Sequence, residues 1–346
     1  MPPPAIKVLM TGAGAPGAAG IIKCLQQYPG MDLVVADADP EAIGRYLHQP
    51  FVQIPAGTDT DFKDKVLEIC KAYTIQVILP LVTRELLPLA RNKELFASKG
   101  IHVLVSSEQS ILIANNKSAT YQYLSERGIQ VPKHFVVRKL EEFIHAAFEL
   151  GHPQKAFCFK PSHSNGSRGV RIVTDSLDES SMLFNEKPYN LNISYPYLLQ
   201  ILSSKSFPEL LVSEYLPGDE YSVDCLANKG KAELIIPRIR KKQVNGISVK
   251  GSFVEHKSII DYCRTIIEAL NLHGNIGIQV KENQEGTPLL LEINPRVQGT
   301  IVAAMGAGVN LPLLAIKQEL GIPVKDEEKK PVWGIGFARY WTEVFY

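Results

Sequence analysis

The chain has 346 residues, and its 37 basic and 36 acidic side chains leave a formal net charge of +1. This balance gives no electrostatic case for nucleic acid or an anionic membrane as the main partner. Hydrophobic residues make up 45% and charged residues 21%, the profile of a soluble globular protein with two or three domains or subdomains.

The cysteines and the N-terminus indicate a reducing, cytoplasmic setting. The five cysteines are far apart and none forms a CxxC pair, so we expect neither a disulfide framework nor a zinc knuckle. The first residues, Met1-Pro2-Pro3-Pro4, lack the basic and apolar regions of a signal peptide. No window reaches about 18 apolar residues without charge, so we expect no transmembrane helix.

The first ~110 residues alternate between strand-like and helix-like segments, which predicts a parallel α/β sheet. The predicted strands are 6–10, 33–36, 77–81 and 101–105, and the predicted helices are 18–27, 62–73 and 85–97.

The pattern changes after residue 111. The predicted helices are 116–127 and 140–150, with strands at 135–137 and 156–160 and a long insertion at about 178–208. From residue 210 the strands lie close together, which predicts an antiparallel α+β unit. Its predicted strands are 210–214, 221–226, 232–237, 276–280, 289–293 and 333–340, and its helices are 258–270 and 309–320.

The first glycine-rich turn, 12–17, fits GxGxxG between a strand and a helix. Asp37, 20 residues past Gly17, stands at a strand end, as in a dinucleotide fingerprint. Taken alone, this set indicates an NAD-dependent oxidoreductase. Pro16 argues against it because proline removes a backbone donor that a phosphate would use. The alternative is that the glycines let the first helix pack closely on the sheet.

A second loop carries candidate phosphate-binding groups. Lys160 ends an apolar strand, where a lysine can reach phosphate oxygens as a point charge. The small residues after it favour a loop whose backbone N–H groups cradle phosphates. The candidates there are Ser164, Gly166, Ser167, Arg168 and Gly169. The alternative is an ordinary hairpin turn, and Lys117, which opens a helix, is equally typical of a solvated charge.

Two strand ends carry further polar groups. The segment from Glu214 through Tyr215 and Leu216 to Glu220 offers backbone groups to a flat base and a carboxylate to a ribose, although acids there are also typical of turns. Glu292 and Asn294 share one face of a strand because side chains alternate with period two. With Gln279 from a neighbouring strand they offer oxygen ligands to Mg²⁺. The alternative is a structural ion pair between Glu292 and Arg296.

The densest basic cluster is a candidate substrate site. Arg238 and Arg240 share a strand face, and paired arginines suit a carboxylate substrate. His256 is a candidate base, and Glu85 a candidate for binding an amine. The alternatives are a solvated edge strand protected by charge and a glutamate that favours a helix N-terminus.

In their order along the chain, these segments resemble the ATP-grasp superfamily, in the branch similar to the carbamoyl phosphate synthetase large subunit and the pyrrolysine-pathway carboxylate–amine ligase. The resemblance implies a Rossmann-like pre-ATP-grasp domain at 1–112, followed by an ATP-grasp fold of two α+β subdomains. These would be a small lid subdomain at 113–212 and a C-terminal subdomain with the metal site at 213–346. The resemblance covers only one ATP-grasp half, so we do not expect a complete carbamoyl phosphate synthetase.

The resemblance also implies that the N-terminal domain lines the substrate site, with segments 14–17 and 80–85 as the candidates. It implies roles for individual residues as well. Lys117 and Lys160 would hold the α- and β-phosphates beneath the 164–169 lid. Glu214 would take the adenine amino group beside the backbone of Tyr215 and Leu216, and Glu220 would bind the ribose. Gln279, Glu292 and Asn294 would ligate Mg²⁺, with Mn²⁺ as the alternative ion, and Arg296 would steady the γ-phosphate or the acyl phosphate.

Together these expectations describe an ADP-forming ligase that joins a small carboxylate to an amine, with Lys160, Arg240 and Arg296 as its catalytic cations. The expected partners are small molecules, not nucleic acid or membrane. The oligomeric state stays open, a homo-oligomer included. The alternatives are the NAD-dependent oxidoreductase and a non-catalytic ATP-binding sensor.

Overall fold

The computed structural model describes residues 5–163, 168–175, 177–185, 191–203 and 206–346. Its strands are β1 (Ile6–Thr11), β2 (Met31–Asp37), β3 (Phe51–Gln53), β4 (Val77–Pro80), β5 (His102–Val103), β6 (His134–Val137), β7 (Phe157–Pro161), β8 (Arg171–Val173), β9 (Asn192–Ile193), β10 (Leu210–Glu214), β11 (Glu220–Asn228), β12 (Lys231–Val244), β13 (Ile247–Phe253), β14 (Gly274–Glu282), β15 (Pro288–Asn294) and β16 (Gly336–Ala338).

The helices occur between these strands. They are α1 (Ala18–Gln26), α2 (Gly44–Leu47), α3 (Phe62–Ala72), α4 (Thr83–Arg91), α5 (Lys93–Ala97), α6 (Glu108–Ala114), α7 (Lys117–Ser125), α8 (Leu140–Glu149), α9 (Glu179–Asn185), α10 (Tyr195–Ser203), α11 (Lys257–Ala269) and α12 (Leu311–Glu319). Two 3₁₀ helices span Ile301–Ala307 and Asp326–Lys329.

The N-terminal sheet is parallel, in the order β3-β2-β1-β4-β5. Its strands read as nearly continuous apolar runs because both faces of the sheet are covered. Val8 and Met10 face the core shared with α1, while Leu9 faces the core formed with α3 and α4. This confirms the predicted parallel α/β unit.

Two further sheets follow. The smaller one, β6-β10-β7-β8-β9, is antiparallel except for the β8–β9 pair, and it packs against α8 and α10. The larger one, β15-β14-β11-β12-β13-β16, is antiparallel throughout. Helix α7 packs in the core of this larger sheet through Tyr121 and Leu124. The domain boundaries given above stay a prediction.

Several elements differ from the sequence-based expectation. The single helix expected at 85–97 is two helices, α4 and α5, that meet at Asn92. The strand expected at 232–237 extends to Val244 and turns back into β13, which was not predicted. Asn245 and Gly246 both have positive φ angles, 50° and 75°, as the tight turn of a hairpin requires. The strand expected at 333–340 is reduced to β16, while α9, β9 and α10 lie in the insertion expected at 178–208.

The N-terminal unit is joined to the large sheet by a shared apolar core and a close backbone contact. The core combines Val8 and Ile21 with Ile236, Phe253 and Ile301. At its edge Gly17 lies against Gly299, and a Cβ atom on Gly17 would lie 2.5 Å from the Gly299 Cα. The third glycine of the GxGxxG turn therefore serves the packing between the two units.

Across the described ranges, no single helix is long and apolar enough to cross a membrane. The helices Ile301–Ala307 and Leu311–Glu319 are long and apolar enough only when they are taken together, and the chain bends by 100° between them.

We expect Gly17→Ala to destabilise the protein by roughly 1–3 kcal/mol because the added methyl group forces the Gly299 backbone to move. Urea unfolding followed by circular dichroism measures the loss. The matched control is Gly306→Ala, since a Cβ atom there meets nothing within 4 Å. Equal stability of the two variants would contradict the close packing at Gly17.

Candidate functional site

A cavity of about 420 Å³ lies where the N-terminal unit meets the large sheet. Its walls come from the glycine-rich turn, the start of α4, the β12–β13 hairpin and the segment after β15. The lining residues are Ala15, Pro16, Gly17, Ile21, Leu81, Val82, Thr83, Arg84, Arg168, Ser222, Arg240, Asn245, Gly246, Ile247, Ser248, Gln279, Glu292, Asn294, Arg296, Val297, Gln298, Gly299, Thr300 and Arg339. The size and the mixed lining suit a small-molecule site.

The three residues predicted to bind metal lie together in this cavity. Gln279 on β14 is directly opposite Glu292 on β15 in the strand register. Asn294 follows on the same face, with its Nδ2 3.3 Å from Glu292 Oε1. Antiparallel pairing places directly opposed side chains within contact distance, so the register brings the set together.

Glu292 pairs with a lysine. Its Oε2 is 3.6 Å from the Nζ of Lys117, and both side chains are largely buried. In the described part of the chain, no ion pair joins Glu292 to Arg296, which was the structural alternative. Arg296 instead donates from Nε to the Thr83 hydroxyl at 3.0 Å and from Nη1 to the Val297 carbonyl at 2.9 Å. Burial lowers the pKa of Arg296.

The donor set fits a hard divalent cation that is bound by protein oxygens and by phosphate oxygens together. One carboxylate and two amide groups offer oxygen donors, which Mg²⁺ prefers. No group of three or more His, Cys, Asp or Glu side chains in the described residues could hold a metal ion. With three oxygen donors, the candidate set suits an ion that keeps waters or phosphate oxygens as its other ligands.

Lys160 lies beneath this set at the end of β7. Its Nζ donates to the Leu291 carbonyl at 2.6 Å and to the Tyr121 hydroxyl at 3.3 Å, and only 7% of the residue is exposed. Burial lowers its pKa to about 8, helped by the nearby Lys117 and opposed by Glu292. Because burial disfavours the charged form, an anion bound beside Lys160 would stabilise its ammonium group.

The start of helix α7 and the loop after β7 are tied together. The Lys117 backbone N–H donates to the Ser162 carbonyl at 3.0 Å, and the Ser118 and Ser162 hydroxyls lie 2.6 Å apart. The predicted lid residues Ser164, Gly166 and Ser167 lie outside the described residues. Arg168 is exposed and lines the cavity, and Gly169 is exposed with a φ of +75°.

The segment between β10 and β11 connects the small sheet to the large one. Glu214 Oε1 accepts from the Lys133 backbone N–H at 2.7 Å. The Tyr215 ring lies 4.7 Å from the Lys281 ammonium, and Leu216 is buried. Glu220 forms an ion pair with Arg240. The structure thus places the four predicted nucleotide contacts on one segment.

The two arginines that share a face of β12 have different environments. Arg238 is fully buried, with its Nε 2.6 Å from Asp224 Oδ2 and its Nη2 2.8 Å from the Thr300 hydroxyl. Arg240 lines the cavity, pairs with Glu220 and donates to Ser248 at 2.9 Å and to Gln279 at 3.3 Å. Arg238 is therefore a structural cation, and only Arg240 reaches the cavity.

The two other candidates on the substrate side do not line the cavity. His256 lies 3.2 Å from Glu282 and 3.1 Å from the Ser258 hydroxyl. Glu85 is buried and accepts from the Thr11 hydroxyl at 2.5 Å. Burial raises the pKa of Glu85 to about 7, against the Thr11 hydrogen bond, which lowers it.

The glycine-rich turn is already occupied by internal contacts. Asp37 accepts from the Gly14 backbone N–H at 2.6 Å and from the Asp39 N–H at 2.9 Å. Gly12 has a φ of +76°, and a Cβ atom there would meet Val82. These contacts explain the fingerprint residues through packing and turn geometry.

Several cavity residues were not identified from the sequence. The hairpin tip at Asn245 to Ser248 had a usable signal, because Asn-Gly between strand-like segments indicates a tight hairpin. Arg84 belongs to the 80–85 segment that the resemblance marked as a candidate lining of the substrate site. Arg339 had no signal, since its arrival at the cavity depends on the packing between the N-terminal unit and the large sheet. Gln298 to Thr300 follow β15 and meet Gly17 only in the folded chain.

Two family models match separate parts of the chain. Residues 8–104 match the PylC-like, N-terminal domain, and residues 206–338 match the family described as ATP-grasp in the biosynthetic pathway with Ter operon. The chain carries an ATP-grasp domain behind a PylC-like N-terminal domain. The resemblance drawn from the sequence is thereby confirmed.

Curated relatives of this ATP-grasp chain include large chains of carbamoyl phosphate synthase. The arginine-specific large chain from Bacillus subtilis is 27% identical over 246 residues, which cover 67% of this chain and 22% of the relative. The chain spans about a fifth of the length of the curated relatives it matches.

Solved structures share the fold of the ATP-grasp chain. The ADP complex of N5-carboxyaminoimidazole ribonucleotide synthetase has a TM-score of 0.70 at 14% identity, covering 95% of this chain and 80% of that one. L-amino acid ligase from Bacillus licheniformis has a TM-score of 0.66 at 15% identity, covering 95% and 78%. These matches confirm the predicted fold class, a parallel-sheet domain followed by an ATP-grasp fold.

We expect Asp224→Asn to lower the free energy of unfolding by roughly 3–5 kcal/mol, because it leaves the Arg238 charge buried without a carboxylate. Urea unfolding measures the change. The control is Asp261→Asn, which removes an exposed ion pair with Arg264 and should cost less than about 1 kcal/mol. A loss for Asp224→Asn as small as the control's would show that Arg238 is not held by this pair.

Proposed function

We propose that this chain is a cytoplasmic ligase that uses ATP to activate a small carboxylate as an acyl phosphate and couples it to an amine. ADP and phosphate are the other products. The observation that carries the proposal is the convergence of Gln279, Glu292 and Asn294 at one wall of a cavity that also contains Arg240 and Arg296. One structural neighbour is an L-amino acid ligase, and this likeness supports an amine as the acceptor.

ATP binds between the small and large sheets in this proposal. Lys117 and Lys160 hold the α- and β-phosphates, and the 164–169 loop closes over the triphosphate, with Arg168 adding charge. Glu214, Tyr215 and Leu216 bind the adenine, and Glu220 binds the ribose. The lowered pKa of Lys160 supports its role, because a bound phosphate replaces the solvent that this buried ammonium has lost.

Gln279, Glu292 and Asn294 would hold Mg²⁺, with Mn²⁺ as the alternative, and such an ion would supply positive charge beside the phosphate oxygens. The Lys117 ammonium, 3.6 Å from Glu292, orients that carboxylate in the protein itself. The Arg240–Gln279 hydrogen bond at 3.3 Å orients the amide in the same way. The residues thus form a set that is positioned before the nucleotide arrives.

The reaction has two steps. A carboxylate oxygen of the substrate attacks the γ-phosphorus, the bond from that phosphorus to the β–γ bridging oxygen breaks, and ADP leaves. The amine nitrogen then attacks the acyl carbon, the carbon–oxygen bond to phosphate breaks, and the nitrogen loses a proton to water or to the released phosphate. Arg296, Lys160 and Arg240 offset the repulsion between the anions, so catalysis depends on positioning and electrostatics.

The decisive measurement is ADP release with Mg-ATP against a panel of small carboxylates paired with amines. We expect Glu292→Ala to reduce substrate-dependent ADP release at least about 100-fold, because it removes the only carboxylate that lines the cavity in the described structure. The control is Glu285→Ala, an exposed turn residue remote from the cavity lining, which should leave the rate unchanged. Failure of the wild type to bind Mg-ATP in calorimetry would refute the proposal.

The affinity for ATP should fall as pH rises through 8. The Lys160 ammonium has a pKa of about 8 in the free protein, so it is mostly charged at pH 7 and mostly neutral at pH 9. Because ATP favours the charged form, its Kd should rise by up to about tenfold per pH unit above pH 8. Calorimetric titrations from pH 7 to 9.5 measure this slope. Lys160→Met should bind ATP more weakly and without the slope, whereas a flat wild-type profile would contradict the assignment.

A further inference from the structure

The described residues lining the cavity carry more positive charge than the neighbouring carboxylates neutralise. Arg240 is paired with Glu220, and Glu292, the only carboxylate in the described lining, is paired with Lys117. Among the described residues, four further arginines line the cavity without an ion pair to a carboxylate, namely Arg84, Arg168, Arg296 and Arg339. Because arginine stays charged at any physiological pH, this excess calls for an anionic ligand.

Arg84 and Arg339 reach the cavity from elements outside the predicted nucleotide site. Arg84 is the second residue of α4, directly after Thr83, which accepts a hydrogen bond from Arg296. Arg339 follows β16; its backbone N–H donates to Val249 at 2.8 Å, and its Nη2 lies 3.4 Å from the Pro16 carbonyl. Both arginines therefore line the cavity, Arg84 with an exposed side chain and Arg339 with its side chain beside the glycine-rich turn.

Among the described residues, most of the predicted nucleotide contacts lie outside this cavity, and only Arg168 and the predicted metal ligands line it. Lys117, Lys160, Glu214, Tyr215 and Leu216 do not line this cavity. Apolar side chains of Ile21, Leu81 and Val82 line the same cavity as the two arginines. A short carbon chain against these side chains, with an anionic group at each end, would satisfy both the charged and the apolar parts of the lining.

We propose that the acid activated by this protein is a small dicarboxylate, with one carboxylate reacting near Arg296 and the second bound by Arg84 and Arg339. This inference rests on the proposed ligase function for the identity of the reacting group. The binding of the second carboxylate does not require ATP, since α4 and the segment after β16 carry the two arginines to the cavity lining. A neutral group at that end would leave both guanidinium groups without a counter-charge.

The test compares glutarate with pentanoate, which have the same number of carbons but different charge. Isothermal titration of the full chain without nucleotide measures binding, and ADP release with Mg-ATP and an amine panel measures turnover. We expect glutarate to bind at least tenfold more tightly than pentanoate and to give at least a tenfold higher kcat/KM. In Arg84→Gln and Arg339→Gln this preference should fall at least fivefold, through KM more than kcat.

The matched control is Arg91→Gln, on the same helix as Arg84 but paired with Glu108 at the surface, which should retain the full preference. Equal binding of glutarate and pentanoate by the wild type would overturn the inference. So would loss of Mg-ATP binding in Arg84→Gln and Arg339→Gln, because it would assign these arginines to the nucleotide. Glutarate binding without any ADP release would retain the dicarboxylate site and refute the ligase function instead.

Discussion

The ion pair between Lys117 and Glu292 joins the start of α7 to the end of β15, 3.6 Å apart and with little solvent around either group. A buried carboxylate is stable only beside compensating charge, so Glu292 depends on the lysine. Lys160 adds a second ammonium nearby, and the pKa of that group falls because burial and Lys117 both disfavour its charge. Two cations beside one carboxylate leave an excess of positive charge, which suits the phosphate groups of ATP.

The wall of the cavity that contains Glu292 also depends on a contact between distant parts of the chain. Gly17 lies against Gly299, in the segment that follows β15, and a side chain on Gly17 would separate the N-terminal unit from the large sheet. That contact brings Ala15 to Gly17 and the start of α4 to the residues after Asn294. The N-terminal domain is therefore part of the site, because without it the cavity would be open on one side.

Strand ends were the part of the site that the sequence could predict. The period of two placed Glu292 and Asn294 on one face, and the apolar strand before Lys160 placed that lysine at the sheet edge. The sequence could not show that Arg84 and Arg339 meet at one cavity, since their positions depend on packing between units far apart in the chain. The sequence did indicate a final strand at 333–340, but it could not show that only Gly336–Ala338 pair as the edge strand β16. The fold was predictable from the order of elements, but the inner wall of the substrate cavity was not.

Arg238 and Arg240 show why a shared strand face does not decide a role. Both project from the same side of β12, but the neighbouring strand β11 offers Asp224 to one and Glu220 to the other. Asp224 is fully buried and also accepts from Gln298 at 2.6 Å, so it fixes Arg238 within the fold. Glu220 lies at the beginning of β11, next to the segment that leads from the small sheet, so its partner Arg240 reaches the cavity. How deeply the carboxylate partner is buried therefore separates a structural arginine from one available to a ligand. By the same reasoning, arginines without a carboxylate partner indicate where an anionic substrate binds.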